Sequence, residues 1–97
     1  MMPVEFLGVA LTEQDDAAGF YNAQQPKLGL DFLTEIERAI ERIQQFPNAW
    51  PKVSQRSRRC RLTRFPYGLV YQIRVDRIVV LAVMHLHRRP GYWLSRE

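Results

Sequence analysis

The sequence predicts a single α+β domain over residues 1–97: an N-terminal strand, an antiparallel helical hairpin, then a three-stranded antiparallel meander, with the helices on one face of the sheet. Three observations carry that expectation. Residues 30–46 repeat apolar side chains at helical spacing, the pattern of an amphipathic helix with one buried face. Residues 58–75 alternate in steps of two around a proline-glycine corner, and residues 78–84 are an unbroken apolar run, as expected of strands. Only Gln25-Pro26-Lys27-Leu28-Gly29 separates the two helical stretches, which brings them back antiparallel.

Pro3 to Val9 alternates weakly through Val4, Phe6 and Leu7 and reads as a first strand. Thr12 is suited to cap the first helix, with Glu13, Asp15 and Asp16 placing negative charge at its positive end. That helix, about residues 13–24, should present Ala17, Phe20 and Tyr21 to a core. In the second helix Leu33, Ile36, Ile40 and Ile43 form the stripe, widened by Phe32, Ala39 and Phe46. Glu35, Arg38, Glu41 and Arg42 take the other face, and Pro47 ends the helix. The proline-rich loop that follows carries Trp50, an indole expected to anchor against the domain edge.

In the first strand of the meander Cys60 and Leu62 face the core while Arg59, Arg61 and Thr63 face away. In the next, Leu69, Tyr71 and Ile73 oppose Val70, Gln72 and Arg74. Phe65-Pro66-Tyr67-Gly68 makes the corner, because proline cannot donate to a ladder and glycine relieves crowding. A short polar step at Asp76 leads into Ile78–Met84. With no polar alternation, that strand should lie inside the sheet, buried on both sides. The tail leaves the sheet near Leu86.

Composition excludes several classes. Ninety-seven residues make one modest core, and 46% hydrophobic with 25% charged residues is ordinary for a globular protein. The run Ile78–Met84 is too short to span a bilayer, and the N-terminus lacks the pattern of a signal peptide, so no membrane partner is expected. A lone Cys60 forms no internal disulfide, which points to a reducing, cytoplasmic location. His85 and His87 share a strand face, but without further ligands they make a poor zinc site, so neither metal nor cofactor is expected.

The net charge of +4 is unevenly spread. Residues 1–50 hold three basic and eight acidic side chains, a balance of −5; residues 51–97 hold eleven basic and two acidic, a balance of +9. Arginines dominate the basic half, and guanidinium forks bind planar anions bidentately, so phosphates, carboxylates or an acidic protein are the indicated partners. A solvated sheet face with arginine stems over apolar surface would show the same composition.

Taken in order, Phe20-Tyr21, Leu30 through Ile43, Phe46-Pro47 with Trp50-Pro51, Arg64-Phe65-Pro66-Tyr67 with Val70-Tyr71, Val80-Leu81-Ala82-Val83 with His85, and Arg88-Arg89-Pro90 with Tyr92-Trp93 resemble the RelE/ParE superfamily of type II toxin–antitoxin toxins. The likeness is closer to the ParE branch and spans nearly the whole chain. The resemblance implies the β-α-α-β-β-β order reached above from periodicity. It also implies a growth-inhibiting toxin neutralised by a cognate antitoxin. ParE-like relatives bind DNA gyrase and perform no covalent chemistry of their own. On that reading Arg64, Arg88, Arg89, Tyr92 and Trp93 form the target contact, although Tyr92 and Trp93 equally suit a tail folded back over the sheet. Arg56, Arg58, Arg59 and Arg61 would meet the antitoxin, and no sequence-specific DNA binding by the chain alone is implied. The alternative, a RelE-like ribonuclease acting on ribosome-bound messenger RNA, needs a base, an acid and cations for the phosphorane. Arg61, Arg64, His85, His87 and Tyr92 are the candidates for those roles, against His85 and His87 as ordinary strand-end and surface residues. The shortage of lysines argues for the gyrase-binding branch. A third alternative is a degenerate toxin that retains only antitoxin binding.

Overall fold

The structure, a computed structural model, describes all of residues 1–97. In chain order its elements are β1 (Val4–Phe6), α1 (Gly8–Gln24), α2 (Leu28–Gln45), β2 (Arg58–Arg61), β3 (Tyr67–Ile73), β4 (Ile78–His85) and a 3-10 turn at Leu94–Arg96. The sheet order is β1-β4-β3-β2. The meander is antiparallel as expected, whereas β1 runs parallel to β4, pairing Val4 with Ile78 and Phe6 with Val80. The sheet is therefore mixed, since turn chemistry fixes only the directions of β2 to β4. β4 lies inside it and is buried from Ile78 to Met84, which is what its unbroken apolar run demands.

The two helices cover one face. Phe32, Ile36, Ala39 and Ile43 of α2 meet Cys60, Leu69, Tyr71, Ile78, Val80 and Val83 of the sheet in a single apolar core. Here α2 follows its expected stripe, except that Phe46 is 62% exposed and Glu35 is buried. The helices approach closely at Gly29, where a Cβ would sit 2.5 Å from the Ala18 carbonyl oxygen. Lys27 supplies the reversal with a left-handed backbone, φ 71°.

α1 departs from expectation in two ways. It begins at Gly8 rather than near Glu13, and Thr12 sits inside it, its hydroxyl donating back to the Gly8 carbonyl oxygen at 3.2 Å. The strand expected to run to Val9 accordingly stops at Phe6. Phe20 also points outward, 58% exposed, while Ala10 and Ala17 form the buried face.

The second face of the sheet is closed by the tail. Val70, Val79, Leu81, Ala82 and Met84 pack against Trp93, with Tyr92 beside them. A bulge in β4 sets this up. Val70 pairs with Ala82 and Tyr71 with Val80, so Leu81 is the extra residue, and Leu81 and Ala82 both fall on the tail side. No helix is long and apolar enough to cross a membrane.

Candidate functional site

Three surfaces bring together chemistry-bearing side chains. The first lies where β1 ends and β4 continues. Leu7 N–H donates to the Val80 carbonyl, and beyond that point no strand covers this edge of β4. Two side chains complete it. Glu13 of α1 accepts the Val83 N–H at 3.1 Å, and Arg96 donates to the Leu81 carbonyl oxygen at 3.0 Å. Glu13 and Arg96 also pair with each other at 2.9 Å, both largely buried, and Tyr92 donates its hydroxyl to Glu13 at 2.8 Å. Arg88 lies 3.9 Å from the Tyr92 ring centroid and 3.5 Å from Glu13. Burial, reinforced by the Glu13 hydrogen bond, pushes the Tyr92 phenol well above its ordinary pKa.

This arrangement separates the acid–base candidates. Tyr92 is committed to Glu13. His85 lies on the helix side of β4, its ring 5.0 Å from Tyr67, in a cleft of about 280 Å³ between α1 and the strand end. Its Nδ1 accepts the His87 N–H at 3.1 Å. Arg64 is held at the corner by α2: its N–H donates to Glu35 at 3.0 Å and its guanidinium pairs with Asp31 at 3.2 Å. Arg61 lies across the sheet at the end of β2, its carbonyl accepting from Arg42 at 3.1 Å. His85 and His87 sit together, ring centroids 5.3 Å apart, while Tyr92, Arg64 and Arg61 are each tied to other groups. Among the candidates for target contact, Trp93 is 3% exposed and packs against the second face of the sheet. The apolar second face draws the indole in, as a tail folded back over the sheet requires. Arg88, Arg89 and part of Tyr92 remain accessible, and Arg64 is remote from them on the α2 side.

The second surface is the arginine edge of β2. Arg56, Arg58, Arg59 and Arg61 take part in no ion pair, whereas Arg38, Arg64, Arg77, Arg88 and Arg96 all do. Arg58 is oriented by the Trp50 carbonyl oxygen at 2.7 Å, and the Arg59 N–H donates to Pro51 at 2.9 Å. Arg59 lays its stem over Gly68, the close approach that this position requires. A small pocket of about 250 Å³ opens between Trp50, Pro51, Arg59 and Arg61. Behind it, Cys60 is fully buried, and burial raises its thiol pKa despite nearby Arg42. The thiol is packing rather than nucleophile.

The third surface is the outer groove of the helical hairpin, about 500 Å³, lined by Ala18, Gly19, Asn22, Pro26, Leu30 and Leu33. Leu30 is 62% exposed here, and Phe20 and Leu11 of α1 are exposed as well.

Sequence reasoning missed Glu13, Arg96 and Glu35 as organising groups. Glu13 and Arg96 act across nearly the whole chain and leave no local signal. The charge of Glu35 points to the solvent face, whereas the Arg64 N–H holds it in the interior.

The sequence profile described as "ParE toxin of type II toxin-antitoxin system, parDE" matches residues 4–90. No curated protein sequence matches the chain significantly. Among solved structures, the chain is similar to one from the chromosomal ParDE TA system of P. aeruginosa. The two are 20% identical over 88% of this chain and 96% of that one, with a TM-score of 0.77. At that identity the likeness speaks for the fold, and the profile match over most of the length speaks for the family: the chain belongs to the ParE toxins of type II toxin–antitoxin systems.

Proposed function

We propose that this chain is a toxin that binds DNA gyrase and inhibits it without covalent chemistry of its own, and that a cognate antitoxin neutralises it. The family match over residues 4–90 carries the reading. The commitments of the acid–base candidates support it: Tyr92 is held by Glu13, Arg64 by Glu35 and Asp31 of α2, and the Arg61 carbonyl by Arg42. The target patch is Arg88, Arg89 and the rim of Tyr92. Purified protein should inhibit gyrase supercoiling and leave ribosome-bound messenger RNA intact. Codon-specific cleavage in a translation reaction, lost on His85→Ala or Arg61→Ala, would overturn the reading in favour of a ribonuclease.

The antitoxin, on this reading, is an acidic, amphipathic segment that folds as it binds. Its carboxylates meet the unpaired Arg56, Arg58, Arg59 and Arg61, and its apolar side chains enter the hairpin groove around Leu30. Charge speeds the encounter and sets orientation, while apolar anchors slow release. Raising salt should therefore lower the on-rate more than it raises the off-rate. The triple substitution Arg58→Ala, Arg59→Ala, Arg61→Ala should slow association in the same way. Stopped-flow mixing with the antitoxin tests both, and an on-rate indifferent to salt and to the substitutions would remove the β2 edge as the docking site.

A further inference from the structure

At the end of the sheet where β2 begins and β3 finishes, a cleft of about 440 Å³ is ringed by Lys52, Arg56, Arg58 and Arg74. None of the four is in an ion pair. Two of them are nonetheless held in place by neutral acceptors. Arg74 donates twice to Gln72 Oε1, at 3.0 and 3.2 Å, and Gln72 is itself buried. Arg58 donates to the Trp50 carbonyl oxygen. Uncharged acceptors orient a guanidinium but leave its charge uncompensated and its remaining N–H groups free. The one acidic side chain in the cleft, Glu97, accepts the Ser54 and Ser57 hydroxyls at Oε2, and with Arg56 nearby it stays charged. The cleft thus holds four cationic side chains against one acidic side chain.

We propose that this cleft binds a small phosphoryl-bearing anion, either pyrophosphate or the polyphosphate chain of a nucleotide. A single carboxylate would satisfy only one of the guanidinium forks. A polyphosphate offers several charged oxygens along one chain and can meet more than one cation at once. Among the lining residues only Tyr71 and Ile73 are apolar and four are cationic, so a ligand held there gains its affinity chiefly from charge. The inference stands apart from the antitoxin reading although Arg56 and Arg58 serve both, because Lys52, Arg74 and Gln72 belong to the cleft alone.

Isothermal titration of the full chain with sodium pyrophosphate, at ionic strength held constant with chloride, tests it. Saturable one-site binding is expected. Lys52→Gln and Arg74→Gln should each weaken it about ten-fold, and Lys27→Gln, a cation on the hairpin connection, should leave it unchanged. Lys52 is exposed, so its variant keeps the test open should Arg74→Gln fail to fold. ATP binding with the same variant profile assigns the site to a nucleotide. A DNA duplex that binds with that profile while pyrophosphate and ATP do not would overturn the small-ligand proposal in favour of a nucleic-acid backbone. Heat that follows ionic strength alone, or an equal loss in Lys27→Gln, would overturn it. So would poly-glutamate binding as tightly as pyrophosphate and losing as much in the cleft variants, because the cleft would then be reading carboxylates.

Discussion

Glu13 reaches groups 70 to 83 positions away, accepting from the Val83 amide, the Tyr92 hydroxyl and the Arg96 guanidinium. A carboxylate near the start of a helix suggests only a favourable place beside the dipole, which is all that local sequence can reveal of it. Its partners come from the far end of the chain and are visible only once the sheet has formed. By contrast, the burial of Cys60 and Leu62 was legible from their alternation with Arg59 and Arg61, because a strand enforces that period locally. Removing Glu13 leaves Arg96 buried beside the Leu81 carbonyl without its counter-charge. Glu13→Ala should therefore destabilise the fold by about 3–5 kcal/mol, measured by urea unfolding. Tyr71 allows a test by pH. Its hydroxyl donates to the Pro47 carbonyl at 2.6 Å, and burial pushes its pKa up to about 12. The unfolded chain releases that proton near pH ~10, so the folded state holds it more tightly. The stabilisation is complete below pH ~10 and lost as pH rises toward the folded value of about 12. Urea midpoints should fall across that window, and Tyr71→Phe, with no phenolic proton to lose, should show a shallower fall.

Among the elements, α2 and the meander were legible and α1 only in part, for a physical reason. The helix α2 buries large side chains on a stripe at helical spacing, so its period is written in Phe32, Ile36, Ala39 and Ile43. α1 buries alanines and exposes Val9, Leu11 and Phe20, so its period is inverted by the surface it offers, and its start was sought at a capping residue it does not use. The contact between the two helices rests on the absence of a side chain. Gly29→Ala places a methyl 2.5 Å from the Ala18 carbonyl oxygen, against backbone that cannot swing aside. The helices must separate, at a cost of about 1–3 kcal/mol. Thermal unfolding should register that loss, and antitoxin affinity should fall with it, since the proposed groove is shaped by the same contact. The arginine edge was legible as a cluster because β2 is short and its arginines are close in sequence. The phosphoryl cleft was not, because Lys52 and Arg74 meet only when β3 carries its end back beside the loop before β2.

For the whole molecule, the two faces of the sheet are closed by different means: helices on one, and residues 90–97 with Trp93 at their centre on the other. A chain ending at Pro90 loses Trp93 and Arg96 together, baring Val70, Val79, Leu81 and Met84. It should bind the dye ANS and associate at concentrations where the full chain stays monodisperse by light scattering. The pairing of β1 with β4 carries a consequence in time. Val4 has no strand to join until Ile78 exists, so the sheet cannot close while the chain is still being made. At synthesis rates of ~5–20 residues per second, the N-terminal strand waits several seconds for its partner. Through that interval the helical hairpin and then the β2–β3 pair are the parts able to assemble, and the core face of α2 has no completed sheet to pack on. Phe32, Ile36 and Ile43 therefore stay bare on that side until β4 arrives, so the core of this fold closes late in its own synthesis.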